Sequence, residues 1–174
     1  MLSKKVEDAI NKQIVAEIYS AYLYLGMAAY FEAEALKGFA QWLKAQAFEE
    51  LYHAIKFYDF INARGGRVVL GAIDEPPKNW DSPIAAFKAA HDHEVKVTGM
   101  INALVDIAQS EKDKATESFL TWYVDEQVEE EEQTIDVVNN LKIMKDAPGG
   151  LFMMDQKLGQ RAYIWPGAAV AAAK

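Results

Sequence analysis

The sequence predicts an all-α protein: four long helices packed as a bundle, a long crossover between the second and third, and a short fifth helix near the C-terminus. Three observations predict it. Apolar residues recur at alternating three- and four-residue steps through four separate stretches, the seam spacing of packed helices. The 10 glycines and 5 prolines lie mostly between or beyond those stretches, where they end helices. Residues 66–82, GRVVLGAIDEPPKNWDS, show no helical period and carry Pro76-Pro77. A connector of about 17 residues can stretch to roughly 55 Å, enough to run the length of a bundle and leave its flanking helices parallel.

Each element has its own start and stop. Ser3 is the expected N-cap of a first helix over 4–35. A second helix, over 37–64, is stopped by Gly65-Gly66. Ser82-Pro83 supplies an N-cap followed by proline at the first helical position, opening a third helix over 83–110. EKDK, 111–114, is a tight polar turn into a fourth helix over 114–145, which APGG, 147–150, breaks. LFMMDQKLG, 151–159, forms the short fifth element, before an Ala-rich tail with Trp165-Pro166. No internal repeat is visible, and residues 1–174 read as a single domain.

Composition excludes several classes. With no cysteine there is no disulfide and no thiolate metal site, so any metal must be held by oxygen and nitrogen. A net charge of −8 argues against nucleic-acid binding through phosphate neutralisation. The start, MLSKKVEDAINKQ, lacks an apolar leader core, and no stretch of 18 uninterrupted apolar residues occurs. No membrane partner is expected, and the cytoplasm is the expected location.

Threading the four seams exposes an anomaly. The first runs Ile10, Ile14, Glu17, Ala21, Tyr24, Ala28, Phe31; the second Leu43, Gln46, Glu50, His53, Phe57, Phe60. The third runs Ile84, Phe87, His91, Glu94, Thr98, Ile101, Val105; the fourth Leu120, Tyr123, Gln127, Glu130, Thr134, Val137, Leu141. Every seam carries a glutamate near mid-helix. Counted from the two interhelix turns, the partners in each hairpin sit within about 6 Å of the same height. Glu17, Glu50, His53, Glu94 and Glu130 therefore converge in one layer. Four buried carboxylates repel unless a counter-charge joins them, and a pair of divalent or trivalent cations supplies it. Carboxylates with one imidazole suit iron, and also manganese or zinc. His91 is expected to be a locally hydrogen-bonded core histidine, with His93 at the surface. Glu131 and Glu132, in the EEEE run, are expected to be solvated. Glu126 and Glu129 form an i, i+3 pair that Glu49 meets across the helices, which points to a third, weaker cation position.

The segments EIYSAYLYLGMAAYF (17–31), AFEELYHAIKFYDFINARGGRV (47–68), NWDSPIAAF (79–87) and FLTWYVDEQVEEE (119–131) resemble, in order and spacing, the non-haem ferritins of bacteria and archaea. The resemblance covers almost the whole chain. It implies the ferritin-like fold and an iron-storage protein, a homo-oligomeric cage of about 24 subunits. It also implies a di-iron ferroxidase centre in each bundle, where Fe(II) is oxidised by dioxygen or hydrogen peroxide before mineral forms inside. By position, Glu17, Glu50 and His53 would hold one iron. Glu50 would bridge to a second held by Glu94 and Glu130, with Gln127 nearby. Glu49, Glu126, Glu129 and Glu130 would form the third site of bacterial-type members. Tyr24 matches the family tyrosine beside the centre, a hydrogen-bond partner or electron donor. Trp122 also matches a family position. Tyr52 stands where haem-binding relatives carry methionine, so no haem is expected. Phe48 stands where many relatives carry a polar residue.

Two other readings compete. A di-iron peroxidase of the rubrerythrin kind would consume peroxide without storing mineral. Gln127-x-x-Glu130 in place of a second E-x-x-H, and the lack of a cysteine-rich module, count against it. A metal-free helical interaction protein leaves the matched polar layer unexplained.

Overall fold

A computed structural model describes residues 2–163. Five helices follow in order: α1 (Lys4–Ala33), α2 (Lys37–Ala63), α3 (Pro83–Ser110), α4 (Lys114–Met144) and α5 (Gly150–Leu158). Among the described residues there is no strand. The Ala-rich tail with Trp165-Pro166 lies outside the described residues.

Two of the N-caps, Ser3 and Ser82, are those the sequence places, and Asp113 adds a third. Ser3 accepts a hydrogen bond from the Val6 N–H, and Ser82 from that of Ala85, with Pro83 in the first turn. Asp113 caps α4 by accepting from the Thr116 N–H. Such a cap stabilises a helix by about 1 kcal/mol. After α2, Gly65 turns the chain at φ 70°, a left-handed conformation that costs glycine little.

α1 pairs with α2, and α3 with α4, as hairpins. At the far end Lys5 of α1 meets Ser110 and Glu111 at the end of α3, so those two helices are antiparallel as well. It follows that α2 and α3 are parallel, and the crossover must travel the full bundle. Its contacts trace that path along α1. The Arg67 N–H donates to Glu7 at 3.0 Å, Asn11 bonds the Arg67 carbonyl and the Val69 N–H, and Pro76 packs on Gly26. Trp80 then meets Tyr30 edge-on at 5.3 Å. Stacked rings, Phe57 on Tyr123 and Phe60 on Phe119, join α2 to α4.

The core is in two parts. One surrounds Phe31, Phe39, Phe87 and Leu141; the other surrounds Ile10, Phe57, Ile101 and Tyr123. Each fully buried aromatic or aliphatic side chain contributes about 2 kcal/mol of transfer free energy. Between the two parts lies a belt of buried polar side chains, and it holds the seam glutamates.

α1 is long and apolar enough to cross a membrane. Half of its most apolar stretch is buried in the bundle, and Glu17 interrupts it. Its apolar face serves the core.

Candidate metal centre

One glutamate from each seam, joined by His53 from the second, builds the layer. Glu17, Glu50, Glu94 and Glu130 are 1–2% exposed and His53 is 2% exposed, all within long uninterrupted helices. Ligand atoms of Glu17, Glu50 and His53 lie within 4.8 Å of one another, and so do those of Glu50, Glu94 and Glu130. Glu50 belongs to both groups. It is the carboxylate shared by the two groups drawn wholly from these five residues. A third group joins His53, Glu126 and Glu130 at the same spacing.

A ring of amides and hydroxyls fixes these carboxylates. Gln13 donates to Glu17 at 2.8 Å, and Gln46 donates to both Glu50 (3.1 Å) and Glu130 (2.5 Å). The Tyr24 hydroxyl, fully buried, donates to Glu94, and Gln127 donates to the other Glu94 oxygen at 3.3 Å. Gln127 also reaches Thr98, whose hydroxyl donates to Glu131. The Tyr123 hydroxyl donates to the His53 carbonyl at 2.8 Å. Trp122 stands edge-on to His53 at 5.4 Å, and Lys56 lies over the Trp122 ring.

Electrostatics follow from burial and proximity. Burial pushes the Glu17 carboxyl up to about 8, helped by the Glu50 charge, and Glu130 rises to about 8 for the same two reasons. Burial, then the charges of Glu50 and Glu130, raises Glu94 well above the carboxylate range. Glu50 moves the other way. Burial opposes its ionisation, but hydrogen bonds from His53 and Gln46 and the imidazolium charge outweigh it. Burial also opposes a charged His53, yet its bonds to Glu126 and Glu50 and the surrounding carboxylates raise it well above the usual histidine range. Without metal, burial favours the protonated form of Glu17, Glu94 and Glu130, while Glu50 and His53 favour their charged forms beside one another. Replacing those protons by cations relieves the strain of burying charge. The Gln46 Oε1 atom is buried with no hydrogen-bond donor, a further acceptor facing no partner. Hard oxygen donors with one imidazole fit iron.

Residues 7–144, the span that carries the whole layer, match the Ferritin-like domain family. The chain belongs to the ferritin family. It is 47% identical over 161 residues to the bacterial non-heme ferritin of Bacteroides fragilis, covering 92% of this chain and all of that one. The bacterial non-heme ferritin of Staphylococcus aureus is 38% identical over 163 residues, covering 94% and 98%. Among solved structures, an open-pore ferritin from the hyperthermophilic archaeon Archaeoglobus fulgidus is 51% identical and superposes with a TM-score of 0.92, covering 93% of this chain and all of that one. A closed form engineered from the Archaeoglobus fulgidus ferritin superposes at 0.93, with 51% identity, covering 94% and 100%.

Several residues of this ferritin sit differently from the sequence reading. Glu129 is exposed and outside every group, and Glu49, also outside every group, pairs its carboxylate with Arg161. His93 is not at the surface. It is half-buried, hydrogen-bonds Ser20 at 2.8 Å, and packs against Tyr19 and Tyr24 of α1. His91 bonds Thr134 across the bundle on α4, not within its own helix. Glu131 is half-buried through Thr98, whereas Glu132 is exposed as expected. Phe48 acquires a partner in Tyr163, edge-on at 5.5 Å. Sequence reasoning missed Gln13 as a support for the layer. The signal was present: Gln13-x-x-x-Glu17 and Gln46-x-x-x-Glu50 both place an amide one turn before a seam carboxylate.

Proposed function

We propose that this ferritin oxidises Fe(II) at the buried layer and stores the ferric product as mineral. The observation that carries this reading is Glu50, shared by two buried three-residue groups. Family membership supports iron storage. In this account Glu17, Glu50 and His53 hold one Fe(II), and Glu50, Glu94 and Glu130 hold the other. Two adjacent Fe(II) ions supply the two electrons that reduce dioxygen to hydrogen peroxide, or hydrogen peroxide to water. Carboxylates favour Fe(III) over Fe(II), which drives the oxidation, and their flexible ligation lets product leave. Gln127 and Tyr24 orient Glu94 through its two oxygens, and Gln13 and Gln46 hold Glu17 and Glu50 in place. The chain works as a cytoplasmic homo-oligomeric cage, probed most simply at about 24 subunits, the family arrangement. No haem takes part in this scheme.

Aerobic addition of Fe(II) in excess tests the proposal. Storage predicts a mineral-filled cage visible by electron microscopy. Peroxide consumption without mineral supports the rubrerythrin-like reading, and no iron uptake supports a metal-free scaffold.

A further inference from the structure

The described chain ends in a segment whose placement is heavily specified. Asp155 of α5 reaches back to the start of α2 and accepts from the Gly38 N–H at 2.7 Å and the Phe39 N–H at 3.2 Å. α2 has no side-chain cap of its own at Leu36, so α5 supplies one from outside. The approach demands glycine: a Cβ at Gly38 would lie 1.7 Å from the Asp155 carbonyl oxygen. Docked this way, α5 delivers residues 159–163 along the flank of α2. The Arg161 carbonyl accepts from Gln41, its guanidinium lies 4.3 Å from the centre of the Trp42 ring, and Tyr163 closes on Phe48. The guanidinium then pairs with Glu49, next in sequence to Glu50.

We propose that Arg161 is a tethered cation filling the outer cation position beside Glu49, so that Glu49 takes no metal ion in this subunit. This rests on the two-ion reading of the central layer. The carboxylates expected to form a third site are Glu49, Glu126, Glu129 and Glu130. Glu49 is occupied by Arg161, Glu129 is exposed, and Glu126 and Glu130 converge instead with His53. The Arg161 side chain is 16% exposed, so its charge is poorly screened by water. A dication approaching Glu49 meets both a lost ligand and a like charge. One Arg161 nitrogen, Nη1, is buried and makes no hydrogen bond among the described residues.

Zinc is redox-inert and takes the same donors, so Zn(II) alone is the probe. Iron-free crystals of the wild type, Arg161→Gln and Arg161→Lys are soaked in Zn(II), and anomalous difference density is collected at the zinc edge. Wild type is expected to show zinc in the two central groups and none within reach of Glu49. Arg161→Gln gains a peak between Glu49 and Glu126, with affinity there raised at least about 10-fold in a solution titration. Arg161→Lys, which keeps the charge, resembles wild type. A Glu49 peak in wild type, or its absence in Arg161→Gln with the central zinc present, overturns this inference alone. No central zinc in any of the three overturns the two-ion reading and this inference with it.

Discussion

Glu17→Gln is expected to stabilise the metal-free protein, and to do so more as pH rises. The folded-state carboxyl is raised to about 8 from an ordinary 4.5, chiefly by burial. A raised carboxyl holds its proton more tightly in the folded state than in the unfolded one. Its contribution is therefore most favourable below about pH 4.5 and is lost as pH climbs toward 8. At pH 8 the single-group cost is about 4 kcal/mol, and at pH 5 about 1 kcal/mol. Because the repulsion is shared with Glu50, about 2–4 kcal/mol is the gain to expect at pH 8. Glutamine removes that cost while its carbonyl can still accept from Gln13. For a chain of this size the gain corresponds to a rise in Tm of roughly 5–15 °C at pH 8. Glu94 and Glu130 act in the same sense. So does His53, whose raised value gives stability that is complete below about 6.5 and fades at higher pH. Glu50 opposes them, since its lowered value adds stability above 4.5 that is lost in acid. The assay is a pair of thermal melts, at pH 5 and pH 8, for each protein in excess chelator. Equal shifts at the two pH values, or a lower Tm for the variant at pH 8, would refute a Glu17 carboxyl raised by burial in the layer.

Three further outcomes follow from the same geometry. Loading two Zn(II) per subunit at pH 6 should release close to the protons held by Glu17, Glu94, Glu130 and His53, about four, measured by calorimetry in buffers of different ionisation enthalpy. Release of one proton or none contradicts the protonated layer. Glu129→Ala should leave the oxidation rate at two Fe(II) per subunit unchanged, because Glu129 is exposed and joins no group; a rate loss in rapid mixing would place it in the centre after all. Asp155→Ala removes two hydrogen bonds from the start of α2 and should cost about 1–2 kcal/mol, read as faster amide exchange at Gly38 and Phe39. Unchanged exchange there would show that α5 does not cap α2.

Much of this was legible because the layer breaks a rule that the rest of each helix obeys. Glu17 between Ile14 and Ala21, and Glu50 between Leu43 and Phe57, stand out against a period that buries every neighbour. Ser3, Ser82 and the Gly65 turn were equally readable, since caps and left-handed turns act over three or four residues. What escaped depends on distant partners. Arg161 and Glu49 are 112 positions apart, and the docking of α5 that joins them rests on Gly38 leaving space for a backbone carbonyl. His93 lies one step off its seam, and its partners Ser20, Tyr19 and Tyr24 all come from another helix. Glu131 looked like one charge in a solvated run until Thr98 met it from α3. Periodicity assigns a face to a residue but does not name what crosses over to meet it.

The most direct test is anaerobic loading of Fe(II) at increasing ratios, followed by rapid mixing with dioxygen, for wild type and Glu50→Ala. Sharing of Glu50 between the two groups predicts a fast phase whose amplitude stops growing at about two Fe(II) per subunit, and at least a 10- to 100-fold slower phase in the variant. An amplitude that keeps rising past that ratio, or a variant as fast as wild type, would contradict a two-iron centre built on Glu50.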